Sequence, residues 1–208
     1  MPRPIVEPPR LYSLRDMHPI DAKRTLRSAM LAWRAGLSED DRRAAAADLL
    51  EQFRREQPIE TPCVVSGFWP MKEELDIRPL MFELFNQGCE LALPVVAGKG
   101  EPLVFRAWRP GDALEQGVFN TLHPLPNRPV VEPDALIVPL LACDRDGWRL
   151  GYGGGFYDRT LRALRRRRKI LALGVAFDDQ LVAEDVPHGP DDERLDWLLT
   201  DRRACAFV

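Results

Sequence analysis

Four glycines fall within five positions in the segment DRDGWRLGYGGGFYDRTL, residues 144–161: Gly151, Gly153, Gly154 and Gly155. Each glycine in a regular element costs about 1 kcal/mol relative to alanine, so such a run suits a backbone that bends sharply or approaches a ligand closely. The residues that follow, YDRTLRALRRRR, have a helical pattern. A glycine loop opening a helix aims amide N–H groups at an anion. Arg149 stands just before the loop, where a guanidinium can contact a phosphate through two hydrogen bonds. The spacing is neither GxxxxGK[ST] nor GxGxxG, so it matches neither common phosphate fingerprint. A tight structural turn between sheet and helix remains the competing reading. Asp158, three positions after Gly155, either caps the helix or faces a metal held by the same phosphates.

A second basic set lies near the start of the chain. In DAKRTLRSAMLAWR, Lys23 and Arg27 are four apart and share a helix face, which Arg34 broadly continues. Such a stripe either reaches a triphosphate or is a solvated face. Leu26, Met30 and Trp33 form the core-facing stripe of the same helix, and Arg24 lies off the basic face. The run Arg165–Lys169 closes a predicted helix, where positive charge complements the dipole. Without interleaved aromatics it lacks the stacking platform of a nucleic-acid surface.

The segment FWPMKEELD follows a predicted strand and sets Trp69 close in sequence to Glu73, Glu74 and Asp76. At the C-terminal edge of an open α/β sheet, an aromatic plane beside a carboxylate can hold a heteroaromatic ring that donates N–H groups. Acids drawn to a helix start by its dipole are the alternative. Later, Asp191 and Asp192 come in a turn, and Asp192 could complete a magnesium site through oxygen ligation or bound water, with Asp178 and Asp179 as competitors. His188 lies in the same turn region; His18 and His123 suggest no role, and no Ser/His/Asp set or two-histidine zinc spacing occurs.

These side chains need a scaffold. A helical pattern runs from about Ile20 to Ala35, with Gly36 as its stop, and Ser38 with Asp41 starts a second helix. CVVSGF, CELALPVV, LVFRAW, ALIVPLLA and KILALGVAF read as strands, the fourth limited by Pro139. LDIRPLMFELFNQG and RTLRALRRRR read as helices between them. The alternation predicts an α/β fold, a three-layer open sheet, largely parallel, with helices on both faces. Residues 1–17, rich in proline and arginine, read as an extension, and 18–208 as a single domain.

The 208 residues suffice for one buried core; 45% are apolar and 29% charged, as in an ordinary globular protein. A net charge of -3 gives no global attraction for nucleic acid or an anionic membrane. No apolar run approaches the roughly 20 residues that span a bilayer. Cys63, Cys89, Cys143 and Cys205 form no CxxC pair and read as structural thiols, which makes the cytoplasm the expected location.

Taken in order, PDALIVPLLACDRDGWRLGYGGGFYDRTL, KRTLR, WPMKEELD, GVAFDDQLV and DDERLDWLLT resemble the 5-formyltetrahydrofolate cyclo-ligase family over residues 20–203. The resemblance implies a fold of the NagB/RpiA/CoA-transferase class. It also implies an enzyme that uses ATP and Mg2+ to turn 5-formyltetrahydrofolate, with or without a polyglutamate tail, into 5,10-methenyltetrahydrofolate, through a phosphorylated formyl group. It implies catalytic and ATP-contacting roles for Lys23, Arg27 and Arg149. The ATP cradle would extend over Gly151, Tyr152, Gly153, Gly154, Gly155, Phe156 and Tyr157. Asp158 and Asp192 would be the metal-associated acids. Trp69 and Glu74 would meet the folate, together with Tyr152, Gly153, Gly154, Gly155 and Phe156, and Glu74 would accept pterin N–H groups. No nucleic-acid or membrane partner is implied. The chain departs from the family pattern at Asn120 and His123, where a glycine and an acid are usual, at Cys143 for phenylalanine, and at Asp191 for histidine.

Overall fold

A computed structural model describes residues 17–207; the expected extension therefore lies, but for Met17, outside the described residues. The chain opens with two long helices, α1 (Pro19–Ala35) and α2 (Glu39–Glu56). Pro19 sits in the first turn of α1, where its missing N–H costs nothing, and the helix stops at Gly36. Ser38 caps α2: its hydroxyl accepts from the Asp41 amide at 3.1 Å. Next come β1 (Val64–Ser66), α3 (Arg78–Asn86), β2 (Glu90–Val96) and β3 (Leu103–Ala107). A hairpin of β4 (Leu114–Gln116) and β5 (Leu122–Pro124) precedes β6 (Ala135–Pro139). A small antiparallel pair, β7 (Ala142–Cys143) and β8 (Arg149–Leu150), leads to α4 (Phe156–Arg165), β9 (Leu171–Ala176), β10 (Trp197–Thr200) and β11 (Ala204–Ala206).

Seven strands form one sheet in the order β11-β10-β9-β6-β1-β2-β3. The five inner strands are parallel, and both edges are antiparallel. LVFRAW, read among the strands of a largely parallel sheet, is thus an antiparallel edge: residues 97–102 are too few for a crossover, which takes a dozen or more. The third helix starts at Arg78, later than the pattern from Leu75 suggests. Asp76 accepts from the Arg78 amide at 3.0 Å and holds a turn there, and Pro79 fits only the first helical turn.

The period of two along the strands separates two cores. Ala135 and Ile137 of β6, Leu173 and Val175 of β9 and Leu91 and Leu93 of β2 face α1, α2 and α3. Leu136, Val138, Ala172 and Ala92 turn to the other face, against Leu161 and Leu164 of α4. The layers are therefore three helices, a sheet, and one helix. Leu26, Met30, Leu49 and Phe53 are almost fully buried, each worth about 1.5–3 kcal/mol. No helix among the described residues is long and apolar enough to cross a membrane.

Candidate active site

Strand order reverses between β1 and β6: the chain builds outward from β1 to β2 and β3, then returns beside β1 and builds the other way. Open α/β sheets bind ligands outside the carboxyl ends of strands at such a switch point. The segment after β1 carries Trp69 and Glu74, and the segment after β6 carries Arg149 and the glycine loop. Tyr152 of that loop donates its hydroxyl proton to Glu74 Oε1 at 2.6 Å, which joins the two segments.

α1 supplies the third side. Arg27 Nε donates to the Gly151 carbonyl at 2.9 Å, and Lys23 Nζ meets Asp192 Oδ2 at 2.7 Å. Arg34, in the last turn of α1, is buried and donates to the Tyr152 hydroxyl. Arg27 and Arg34 of the basic stripe therefore meet the glycine loop, and Lys23 meets the turn that carries Asp192. The loop conformation needs glycine at two points. Gly153 and Gly155 have φ +97° and +63°, and Gly155 is the N-cap of α4. A Cβ on Gly153 would lie 3.4 Å from the Arg27 guanidinium carbon. The α4 amides begin directly at the loop, because Gly155 offers no capping side chain.

Asp158, left between a helix cap and a metal-facing acid, does not cap its own helix. Its Oδ1 accepts from Arg149 Nη2 at 2.7 Å and from the Glu193 amide at 3.1 Å. Arg149 is buried and also donates to the Glu193 carbonyl. Asp192 Oδ2 accepts from the Gly189 amide at 2.7 Å as well as from Lys23. Asp158 thus lies against the Glu193 backbone and Asp192 against that of Gly189, each paired with a cation.

Glu74 is buried, and its second oxygen accepts from the Met71 amide at 2.8 Å. Burial pushes its carboxyl above the usual range, against the opposing pull of the Tyr152 and Met71 hydrogen bonds and the Arg34 charge. Tyr157 is held neutral, chiefly by burial, with Glu74 and Arg149 near enough to act on it electrostatically. Trp69 packs edge-on to Trp108 at 5.7 Å, with the Arg78 guanidinium 5.5 Å from its ring. Phe156 lies 6.0 Å from Phe119 at the tip of the β4–β5 hairpin. There Asn120 has φ +59°, so the residue standing for a glycine is one that tolerates the left-handed region. His123 lies 3.6 Å from Glu115, Cys143 is fully buried, and Asp191 pairs with Arg162 at 2.8 Å.

Other candidates fall elsewhere. Asp178 is bound by Arg203 through two 2.7 Å contacts beside β10, and Asp179 pairs with Arg202. His188 stacks on Trp148 with ring centroids 3.9 Å apart. Of the basic run, Arg165, Arg167 and Arg168 pair with Glu193 and Asp196, Glu132, and Asp134 respectively. Asp144 was not singled out by sequence. It is buried and accepts from the amides of Asp146, Trp148 and Val186, shaping the turn before Arg149. The Asp-x-x-Gly run 144–147 was its only local signal.

A mostly parallel α/β sheet flanked by helices, with a glycine loop and basic side chains at its switch point, is a class of fold that can hold an anionic ligand outside the carboxyl ends of its strands. Residues 19–201 match the 5-formyltetrahydrofolate cyclo-ligase family, and the chain belongs to that family of enzymes. A 5-formyltetrahydrofolate cyclo-ligase of Mycolicibacterium smegmatis is 36% identical over 146 residues, 67% of this chain and 74% of that protein. The Escherichia coli cyclo-ligase is 38% identical over 133 residues, 60% of this chain and 71% of its own length. The structure of Aquifex aeolicus 5,10-methenyltetrahydrofolate synthetase superposes with a TM-score of 0.74 at 31% identity, covering 89% of this chain and 92% of that one.

Proposed function

We propose that this chain catalyses the ATP- and Mg2+-dependent cyclisation of 5-formyltetrahydrofolate to 5,10-methenyltetrahydrofolate, releasing ADP and phosphate. Family membership supports the reaction class. The observation that carries the site assignment is the convergence at the switch point of Arg27 on the loop carbonyl of Gly151, Lys23 on Asp192, Arg149 on Asp158 and the loop's Tyr152 on Glu74. One side presents cations and amides to a triphosphate; the other presents a buried carboxylate to a ring edge.

A formamide oxygen is a poor leaving group. Transfer of the γ-phosphoryl group to it converts that oxygen into a phosphate ester and releases ADP. N10 then attacks the former formyl carbon. The C–O bond breaks, phosphate departs, and the N10 proton leaves with it, so the product carries the methenyl bridge. Both nitrogens belong to one substrate, so the protein supplies position and charge rather than a covalent nucleophile. Arg149, Lys23, Arg27 and the loop amides neutralise the transferring group. On this reading Tyr152, Phe156 and Tyr157 wall the loop, and Trp69, on the same segment after β1 as Glu74, serves the folate side.

Asp158 and Asp192 would hold the magnesium ion, which takes one or two carboxylates and completes its shell with phosphate oxygens and water. No three acid, histidine or cysteine side chains cluster among the described residues, so most oxygens around such an ion would come from the nucleotide and solvent. The ion would spread charge on the phosphates. On this reading Lys23 and Arg149 hold the two acids in place until the nucleotide arrives. A cytoplasmic location accords with the free thiols of all four cysteines.

The test mixes the purified protein with Mg-ATP and 5-formyltetrahydrofolate. It follows the near-ultraviolet absorbance of the methenyl product alongside ADP. An enzyme- and ATP-dependent rise matched mole for mole by ADP is expected. Folate binding without a rise would overturn the catalytic reading.

A further inference from the structure

The contacts around Tyr152 have a direction. An arginine guanidinium only donates hydrogen bonds. Arg34 Nη2 donates to the Tyr152 oxygen, so the single hydroxyl proton must point elsewhere, and it points to Glu74 Oε1 at 2.6 Å. Glu74 is therefore an acceptor at this oxygen. At Oε2 it is an acceptor again, of the Met71 amide. A carboxylate offers about four lone-pair sites. Two are used by Tyr152 and Met71, leaving one on each oxygen for two parallel donors.

Arg34 is an unusual residue to find here. It is 3% exposed at the end of α1, its Nε has no hydrogen-bond partner among the described residues, and its guanidinium carbon lies 5.6 Å from the Tyr152 ring centroid. A buried cation with an unsatisfied donor is costly. The contacts it does make offset part of that cost by orienting Tyr152 and by placing positive charge near Glu74. Tyr152 keeps 44% of its surface exposed even though its hydroxyl is bonded twice.

We propose that Arg34 is a positioning residue for folate recognition: through the Tyr152 hydroxyl it holds Glu74 as an ionised acceptor for two adjacent N–H donors, such as the amino-pyrimidinone edge of a pterin. This rests on the reading that Glu74 faces the folate. The relay also ties the glycine loop to the folate side, so Tyr152 belongs to both halves of the site. The charged and titratable groups acting on Glu74 are Tyr152 and Tyr157 from the loop and α4, and Arg34 from α1.

The experiment measures 5-formyltetrahydrofolate binding by the full-length protein from acid to neutral pH, and ATP binding separately. Arg34→Met, Arg34→Lys, Tyr152→Phe and the double variant Arg34→Met/Tyr152→Phe are compared with wild type. Arg34→Met is expected to weaken folate binding by about tenfold at neutral pH, the scale of one hydrogen bond to a charged group. It should also move the acid limb of the binding profile to higher pH. ATP affinity should change by less than about threefold, within the scale of a weak indirect contact. Arg34→Lys should restore the pH profile in part. The double variant should be no worse than the weaker-binding single one, because both act through one relay. If Arg34→Met fails to fold, Tyr152→Phe removes one hydroxyl and must shift the same limb. An unmoved pH limb, or additive losses, overturns the relay alone. A wild-type protein that binds no folate overturns the functional reading and this inference together.

Discussion

Arg149 and Glu74 show how one side chain can serve both the fold and the site. Arg149 has only 4% of its side chain exposed and is paired with Asp158, which keeps 22%. Arg149→Met should destabilise the protein by about 2 kcal/mol in urea melts, below the roughly 3–5 kcal/mol of a fully buried pair because water still reaches Asp158. In the fraction that stays folded, kcat/KM for ATP should fall about a hundredfold, the scale of one transition-state donor. Unchanged ATP kinetics would remove Arg149 from the site. Glu74 contributes through pH. Burial raises its folded pKa above the unfolded value, so its contribution to stability is fully present below the ordinary glutamate pKa of about 4.3. That contribution is lost as pH rises through the higher folded value. Glu74→Gln should flatten this part of the urea-midpoint profile, and an identical profile would mean that Glu74 titrates normally. At this scale the reactive residue types were readable in the sequence. What they touch was not: nothing local in Arg34 or Tyr152 says that they meet, since 118 residues separate them.

Elements were legible wherever one period ran long enough. The Leu26–Met30–Trp33 stripe, the Ser38 cap and the Pro139 end of β6 all read from local pattern and appear in the fold. The hairpin β4–β5 and the short strands β7, β8, β10 and β11 escaped because two to four residues show no period, and pairing alone makes them strands. The glycine loop sits between these cases: its composition was plain, but which of its positions need glycine was not. Gly155 has φ +63°, and a Cβ there would lie 2.7 Å from Arg159 Nη1, whereas a Cβ on Gly151 meets nothing within 4 Å. Gly155→Ala should therefore lower stability by about 1–2 kcal/mol, with Gly151→Ala within about 0.5 kcal/mol of wild type. Calorimetry of both variants checks the contrast, and equal losses would contradict this loop conformation.

Over the whole molecule, the parallel sheet with helices on both faces was expected, and its antiparallel edges were not. Edge direction depends on the length of the connecting loop more than on the strand's own residues. Assembly of the site is likewise a property of the complete fold. Lys23 and Asp192, 169 residues apart, meet at 2.7 Å with 23% of each side chain exposed. A double-mutant cycle with Lys23→Met and Asp192→Asn should give a coupling of about 0.5–1 kcal/mol in stability, and strictly additive losses would mean that the pair is not formed in solution. The same contact has a consequence for synthesis. A chain leaving the ribosome presents Lys23 and Arg27 early, while Asp192, which pairs with Lys23, and Glu193, whose backbone bonds Arg149 and Asp158, emerge much later. Until then a nascent chain can fold α1 and α2 and still lack these partners of Lys23, Arg149 and Asp158, so this group of contacts closes only after residues 192 and 193 have been made.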